Sequence, residues 1–236
     1  MHPPLLRIDL TVAAIVFASA LAGCAGNVSD GPPAPDPVYH VGDRWVYNGS
    51  DGFRVKTTWV ETHEVTAIDA SGIHIHITLV GPSVNVEREE LLEAPGLVKI
   101  GAAMDIETRR FSTPFIRYQF PLTPGQTWNQ RPTNFNESSQ QSGQLSNFRR
   151  VEGWTNVTTP AGTFDALQIR VIMRLDDSTF WRSETNCDYL ILYSPKVGAS
   201  VHEEKNAFYV ERGDPLQAMV RAQNTVIDLV SFTPGK

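Results

Sequence analysis

The most regular feature of this chain is alternation. Ile73, Ile75, Ile77 and Leu79 alternate with His74, His76, Thr78 and Val80, and Leu167, Ile169, Val171, Met173 and Leu175 with Gln168, Arg170, Ile172 and Arg174. Successive side chains on an extended strand point to opposite faces, so a period of two marks a strand with one face in a core. Phe53-x-Val55-x-Thr57-x-Trp59 opens another strand, predicted to run to about residue 69 and to turn at Ala70-Ser71-Gly72. Shorter strands are predicted at 43–47, 84–92, 97–100, 106–111, 115–120, 147–153, 188–193, 201–204, 208–212 and 226–232. Turn-forming runs such as Ala94-Pro95-Gly96, Thr123-Pro124-Gly125, Pro160-Ala161-Gly162 and Gly213-Asp214-Pro215 separate them. The best helical stretch, 215–222, is short. The predicted fold is therefore all-β: a single antiparallel curled sheet, as a half-barrel or a closed barrel. Closure would remove the exposed edges that a chain of strands must otherwise protect.

Two local features qualify this picture. Residues 129–147 are polar and rich in Gln, Ser and Asn, and read as a long loop, either functional or mobile. Gly42-x-x-Trp45 and Gly125-x-x-Trp128 repeat one pattern, in which a glycine supplies a turn and a tryptophan enters the sheet. The echo suggests two related halves.

The N-terminus has a different pattern. One positive charge, Arg7, precedes an apolar run from Leu10 to Leu21, the form of a signal peptide, although Asp9 weakens the basic start. The run is shorter than the roughly 20 apolar residues of a bilayer span. It ends in Leu21-Ala22-Gly23-Cys24, which resembles the lipobox of bacterial lipoproteins. That resemblance implies diacylation of Cys24 and cleavage before it, after which two or three acyl chains anchor stably where one would not. Ala25 in place of Asp resembles the outer-membrane class and implies the periplasmic face of that membrane. The alternative is an ordinary secretory signal with a chance cysteine. Residues 24–37, rich in Pro, Gly and Asp, read as an extended tether, leaving 38–236 as the antiparallel β domain.

Composition narrows the partners. Removing residues 1–23 of 236 leaves 213 and takes out one charge of each sign, so the net charge stays at −6. This acidity argues against nucleic acid, which is met with a clustered basic face. Cys187 has no second cysteine in the mature chain if Cys24 is acylated, so burial rather than disulfides must hold the fold.

Candidate chemistry is sparse. His74 and His76 share one strand face at a spacing that suits a metal, with His63 or Glu61 as further ligands from the preceding strand. Glu89-Glu90, Asp176-Asp177 and Glu203-Glu204 are adjacent, so the members of each pair point to opposite faces and read as solvated charges. Arg109, Arg110, Arg117, Arg149, Arg150, Arg170 and Arg174 read either as a basic strip for an anionic headgroup or as cross-strand partners of acidic residues. No hydrolase elbow, zinc-protease motif or phosphate loop occurs, and no catalytic residues or cofactor are predicted. The reading is a non-enzymatic binding or envelope-maintenance module. Its candidate apolar groove comprises Trp45, Tyr47, Trp59, Ile75, Ile77, Trp128, Ile169 and Val171, for a lipid, an acyl chain or an envelope protein. The alternatives are a periplasmic metal binder using His74 and His76, or a hydrolase without a recognisable motif.

Four segments resemble a known group. Val41–Tyr47, Phe120–Trp128, Val157–Leu167 and Tyr193–Gly198 are similar, in that order, to motifs of the TapB-like family of exported bacterial β-proteins. The resemblance implies a curled antiparallel sheet, in outline like that of envelope lipid carriers. It supplies no catalytic or binding residues.

Overall fold

A computed structural model describes residues 28–52, 56–104, 107–177 and 180–236. The predicted signal peptide, Cys24, the start of the tether, and Phe53, Val55 and Ile106 lie outside the described residues. Thirteen strands follow in chain order: β1 Arg44–Asp51, β2 Thr57–Asp69, β3 Gly72–Gly81, β4 Val84–Ala94, β5 Leu97–Gly101, β6 Arg109–Ile116, β7 Thr127–Gln130, β8 Thr133–Asn136, β9 Gln141–Thr159, β10 Gly162–Asp176, β11 Thr185–Ser194, β12 Ala199–Val210 and β13 Met219–Thr233. There is no helix among the described residues; the 215–222 stretch is a turn followed by the start of β13. Asp214 holds that turn by accepting the Leu216 and Ala218 N–H groups at 3.0 Å.

Every strand pairing is antiparallel, and the ladder closes. β9 pairs with β10 along one edge and with β8 and β7 in succession along the other, so twelve strands form a closed barrel and β7 extends it. Closure satisfies the backbone groups that an open edge would leave unpaired. One seam is closed by side chains instead. β6 pairs with β8 only through Arg109–Phe111. Beyond that, Pro114 has no N–H to offer a ladder. Gln130 bridges the gap, donating to the Pro114 carbonyl at 2.7 Å and accepting the Ile116 N–H at 2.8 Å.

The inward-facing residues form one core, with Val65, Leu79, Val98, Leu122, Leu145, Leu167, Ile169 and Leu229 fully buried. Gly42 and Gly125 both have positive φ, at 91° and 82°, and each donates its N–H to a neighbouring strand, at Val65 and Val151. Their tryptophans then enter β1 and β7 and donate indole N–H groups to the carbonyls of Val197 and Ile116. The repeated pattern thus has the same structural use twice.

Two segments differ from the sequence expectation. Residues 129–147 are not a loop. They contain the end of β7, β8, a tight turn and the start of β9, and the Asn134 and Asn136 side chains belong to the cluster around a buried cation. The Arg109 side chain is 1% exposed and donates to Glu107, Asn134 and Asp177, while Asn136 also donates to Glu107. Asparagines at core positions break the apolar alternation, which hides the strand from a hydrophobicity pattern. Nor is the expected tether wholly free. Ser29 exchanges backbone hydrogen bonds with Trp154, and Ala34, buried, exchanges them with Leu122 at 2.8 and 2.9 Å. Residues 28–37 therefore lie along the barrel.

The N-terminal segment and the 117–126 connection meet at the end of the barrel that carries the β2–β3, β4–β5, β9–β10 and β11–β12 turns. The Tyr39 hydroxyl donates to the Gly198 carbonyl at 3.1 Å, and the Tyr118 and Phe120 rings pack on Tyr193. The four segments that carry the family resemblance converge here. Trp45 of the first bonds Val197 of the last, and Ser194 of the last bonds the Asp165 carbonyl of the third.

Candidate functional site

Inside the barrel lies a cavity of about 140 Å³. Tyr47, Ile75, Leu92, Tyr189, Ile191 and Ile227 form an apolar and aromatic wall. Opposed to it is a concentration of charge unusual for a barrel core. Arg88, Arg117, Arg149 and Lys205 line the same space as Glu61, Glu90 and Glu203, with His63 beside them. Except for Arg117, which follows β6, these charges reach the interior because alternation on β2, β4, β9 and β12 places them on the inward face. The register settles it for β2, where Glu61 and His63 stand opposite the buried Leu79 and Ile77.

Each carboxylate in the chamber has its own partners. Glu90 accepts two parallel hydrogen bonds from Arg117, at 2.6 and 2.7 Å. Burial alone would push its proton affinity up, but Arg117, with help from Arg88 and His63, outweighs burial and holds the carboxyl at about 2. Glu61 contacts His63 Nε2 at 2.6 Å and accepts the Trp59 indole N–H at 3.2 Å. It too is held at about 2 against burial, mainly by His63 and then by Lys205 and Arg88. Glu203 lies 2.5 Å from both Lys205 Nζ and the Ser200 hydroxyl, and these contacts lower its pKa despite burial. Burial raises the Tyr47 hydroxyl pKa well above its ordinary value, so it stays protonated.

Arg149 is the exception. It is 3% exposed, its Nε donates to the Asn147 side-chain oxygen at 3.0 Å, and its guanidinium lies 5.3 Å above the centre of the Phe115 ring. One terminal nitrogen, Nη1, is buried without a hydrogen-bond partner. Burial lowers its pKa to about 10, which leaves it charged at neutral pH. On Arg88, Nε and Nη1 are likewise buried and unmatched; its nearest carboxylate contact is Glu90 at 3.7 Å.

The predicted site residues divide. Of the eight candidate groove residues, Trp45, Tyr47 and Ile75 line the cavity. Trp59, Ile77, Trp128, Ile169 and Val171 are buried in the packed core, so the eight do not form one apolar groove. His74 and His76 project from the outer face. His74 contacts Ser71 and Asp69, and His76 contacts Glu89 at 2.6 Å and Glu87 at 3.5 Å. Glu61 and His63 point inward and cannot join them. Among the described residues no group of three or more His, Cys, Asp or Glu is placed to hold a metal ion.

The acidic pairs also differ from expectation. Glu89 and Glu204 are solvated, but Glu90 and Glu203 turn into the chamber. Most of the arginines pair with carboxylates: Arg110 with Glu137, Arg117 with Glu90, Arg170 with Asp188 across β10 and β11, and Arg174 with Glu184. The sequence signal for the chamber was charge at inward-phase positions, as at Glu61, Glu90 and Arg149. Cys187 is buried in β11.

The barrel is similar to the solved structure of a protein from Bacteroides fragilis, provisionally described as exported, with a YmcC-like fold. The TM-score is 0.51 at 12% identity, over 86% of this chain and all of that one. A protein from Parabacteroides distasonis, provisionally described as a lipoprotein, gives a TM-score of 0.47 at 13% identity over 87% of this chain and all of that one. At these identities the likeness is one of fold. No protein-family model matches the sequence, and no curated protein matches it.

Proposed function

We propose that this chain is a lipid-anchored binding protein of the bacterial cell envelope, non-enzymatic, with the barrel interior as its binding chamber. The carrying observation is the cavity itself, a space inside the barrel with an aromatic wall and convergent charged groups. The signal-like N-terminus and the lipobox-like Leu21–Cys24 support export and anchoring at Cys24. The docked segment adds a geometric consequence. Only three residues separate Cys24 from Val28, and the four residue steps between them reach at most about 14 Å when extended. The anchor would hold the barrel close to the membrane rather than at the end of a long spacer. The resemblance to the TapB-like family is consistent with this reading, and its four motifs serve the fold by building the capped end.

The test is metabolic labelling with a palmitate analogue, followed by native mass spectrometry and lipid extraction of the labelled protein purified from membranes. The expected result is label in the membrane fraction that disappears in Cys24→Ala, together with a small molecule retained by the protein. Unlabelled, soluble wild-type protein would overturn the anchoring, and a bare protein mass would overturn the chamber.

A further inference from the structure

The chamber's charges do not cancel. Four side chains that are cationic at neutral pH, Arg88, Arg117, Arg149 and Lys205, face three carboxylates, Glu61, Glu90 and Glu203. The carboxylates are engaged by Arg117, Lys205 and His63. Two cations remain: Arg88, 3.7 Å from the already engaged Glu90, and Arg149, buried, held in position by Asn147 and Phe115, with Nη1 directed to no acceptor among the described residues. A buried charge with no counter-charge is strongly destabilising, and hydrophobic replacements of similar volume are often neutral or better. A guanidinium fixed in this way, lining a cavity, is pre-organised for an anion with paired oxygens. Arg88 also lines this cavity, and its Nε and Nη1 make no hydrogen bond, although Nη1 lies 3.7 Å from Glu90.

We infer that the chamber binds a small oxyanionic group, phosphate or carboxylate, on the Arg149 guanidinium, with Arg88 as a second donor. This deepens the binding-chamber reading and rests on it. The cavity volume of about 140 Å³ limits what enters to a headgroup-sized moiety. By comparison, an apolar cavity of about 150 Å³ takes one benzene. The oxyanion can therefore come from a free small anion or from the headgroup of an anionic lipid whose chains stay outside.

The experiment follows the thermal midpoint of the full mature protein in detergent at constant ionic strength. Inorganic phosphate and propionate are titrated in separate series, with chloride as the reference. A further arm adds phosphatidylglycerol vesicles, with phosphatidylcholine vesicles as reference. Wild-type protein should show a saturating rise of several degrees in at least one arm. Saturation by phosphate or propionate identifies a free anion, and a response confined to phosphatidylglycerol identifies a headgroup.

Arg149→Met should unfold at the same or a higher temperature than wild type without ligand, and its response should disappear. Arg150→Met, which removes an equal charge from the exposed face of the same strand, should respond as wild type does. If Arg149→Met does not fold, the Arg149 Nε–H resonance of wild-type protein reports directly, and it should shift with the same saturation. Equal responses in Arg149→Met and wild type, an unmoved Arg149 resonance, or no response in any arm would overturn the inference. Native mass spectrometry separates the two failures. A neutral molecule retained equally by wild type and Arg149→Met removes the anion and keeps the chamber, whereas a bare mass removes both.

Discussion

Acid should unlock the Glu90–Arg117 pair and with it part of the barrel's stability. Glu90 is 3% exposed and holds Arg117 through two short hydrogen bonds. Its carboxyl sits at about 2 in the folded protein against an ordinary 4.5. Because the folded value is the lower one, its contribution is fully present above about pH 4.5 and is lost as pH falls through about 2. Each unit corresponds to about 1.4 kcal/mol, so the gap is worth about 3 kcal/mol. Glu90→Gln removes this contribution and leaves the Arg117 charge without its carboxylate. At pH 7 such a loss costs about 3–5 kcal/mol. The assay is urea unfolding followed by tryptophan fluorescence, in steps from pH 7 to 2.5, for wild type and variant. Wild type should lose about 2.5 kcal/mol more than the variant across this window, so the two curves approach each other in acid. Glu61 titrates over the same range in both proteins and cancels in the difference. Parallel curves, or a variant cost under about 1 kcal/mol at pH 7, would refute the reasoning.

Two further outcomes follow from other parts of the structure. Arg109→Met removes the buried cation between Glu107 and Asp177 at the end of the barrel opposite the cap, leaving Asp177 to Arg182 at 3.5 Å and Glu107 to Asn136, and should cost about 3 kcal/mol, read as a drop of about 10 °C in Tm. Starting the chain at residue 38 instead of 28 removes the four backbone hydrogen bonds to Trp154 and Leu122 and exposes the Ala34 contact. It should lower stability by at least about 1 kcal/mol, and equal urea midpoints for the two chains would show that the segment is a passive tether.

Much of the architecture could be read along the chain. The strands with clean alternation, β3 and β10, lie where the pattern placed them, because burial of one face and solvation of the other write themselves into consecutive residues. Where core positions are polar the pattern fails. Asn134, Asn136 and the residues around them look like a loop by hydrophobicity, yet they are strands whose inward side chains serve Arg109. The same blindness affects the chamber. The hydrophobic pattern points to a groove among Trp45, Trp59 and Ile169, while the distinctive inward residues are Glu61, Glu90, Arg149 and Glu203.

The sequence by itself determined the strand content, the turns, the export-like N-terminus and the inward phase of most strands. Each of these depends on neighbours a few residues apart, and period-two alternation records them locally. Closure of the barrel, the docking of residues 28–37 and the identity of the unmatched cation were decided only by the tertiary structure. Arg117 and Arg149 each follow a phenylalanine closely, Phe115 and Phe148, and the local sequence does not show which of them finds a carboxylate. The difference is that β4 brings Glu90 within 2.6 Å of Arg117, whereas among the described residues no carboxylate takes the corresponding place beside Arg149. That contrast is a property of strand registers summed around a closed ring, and no short stretch of sequence contains it.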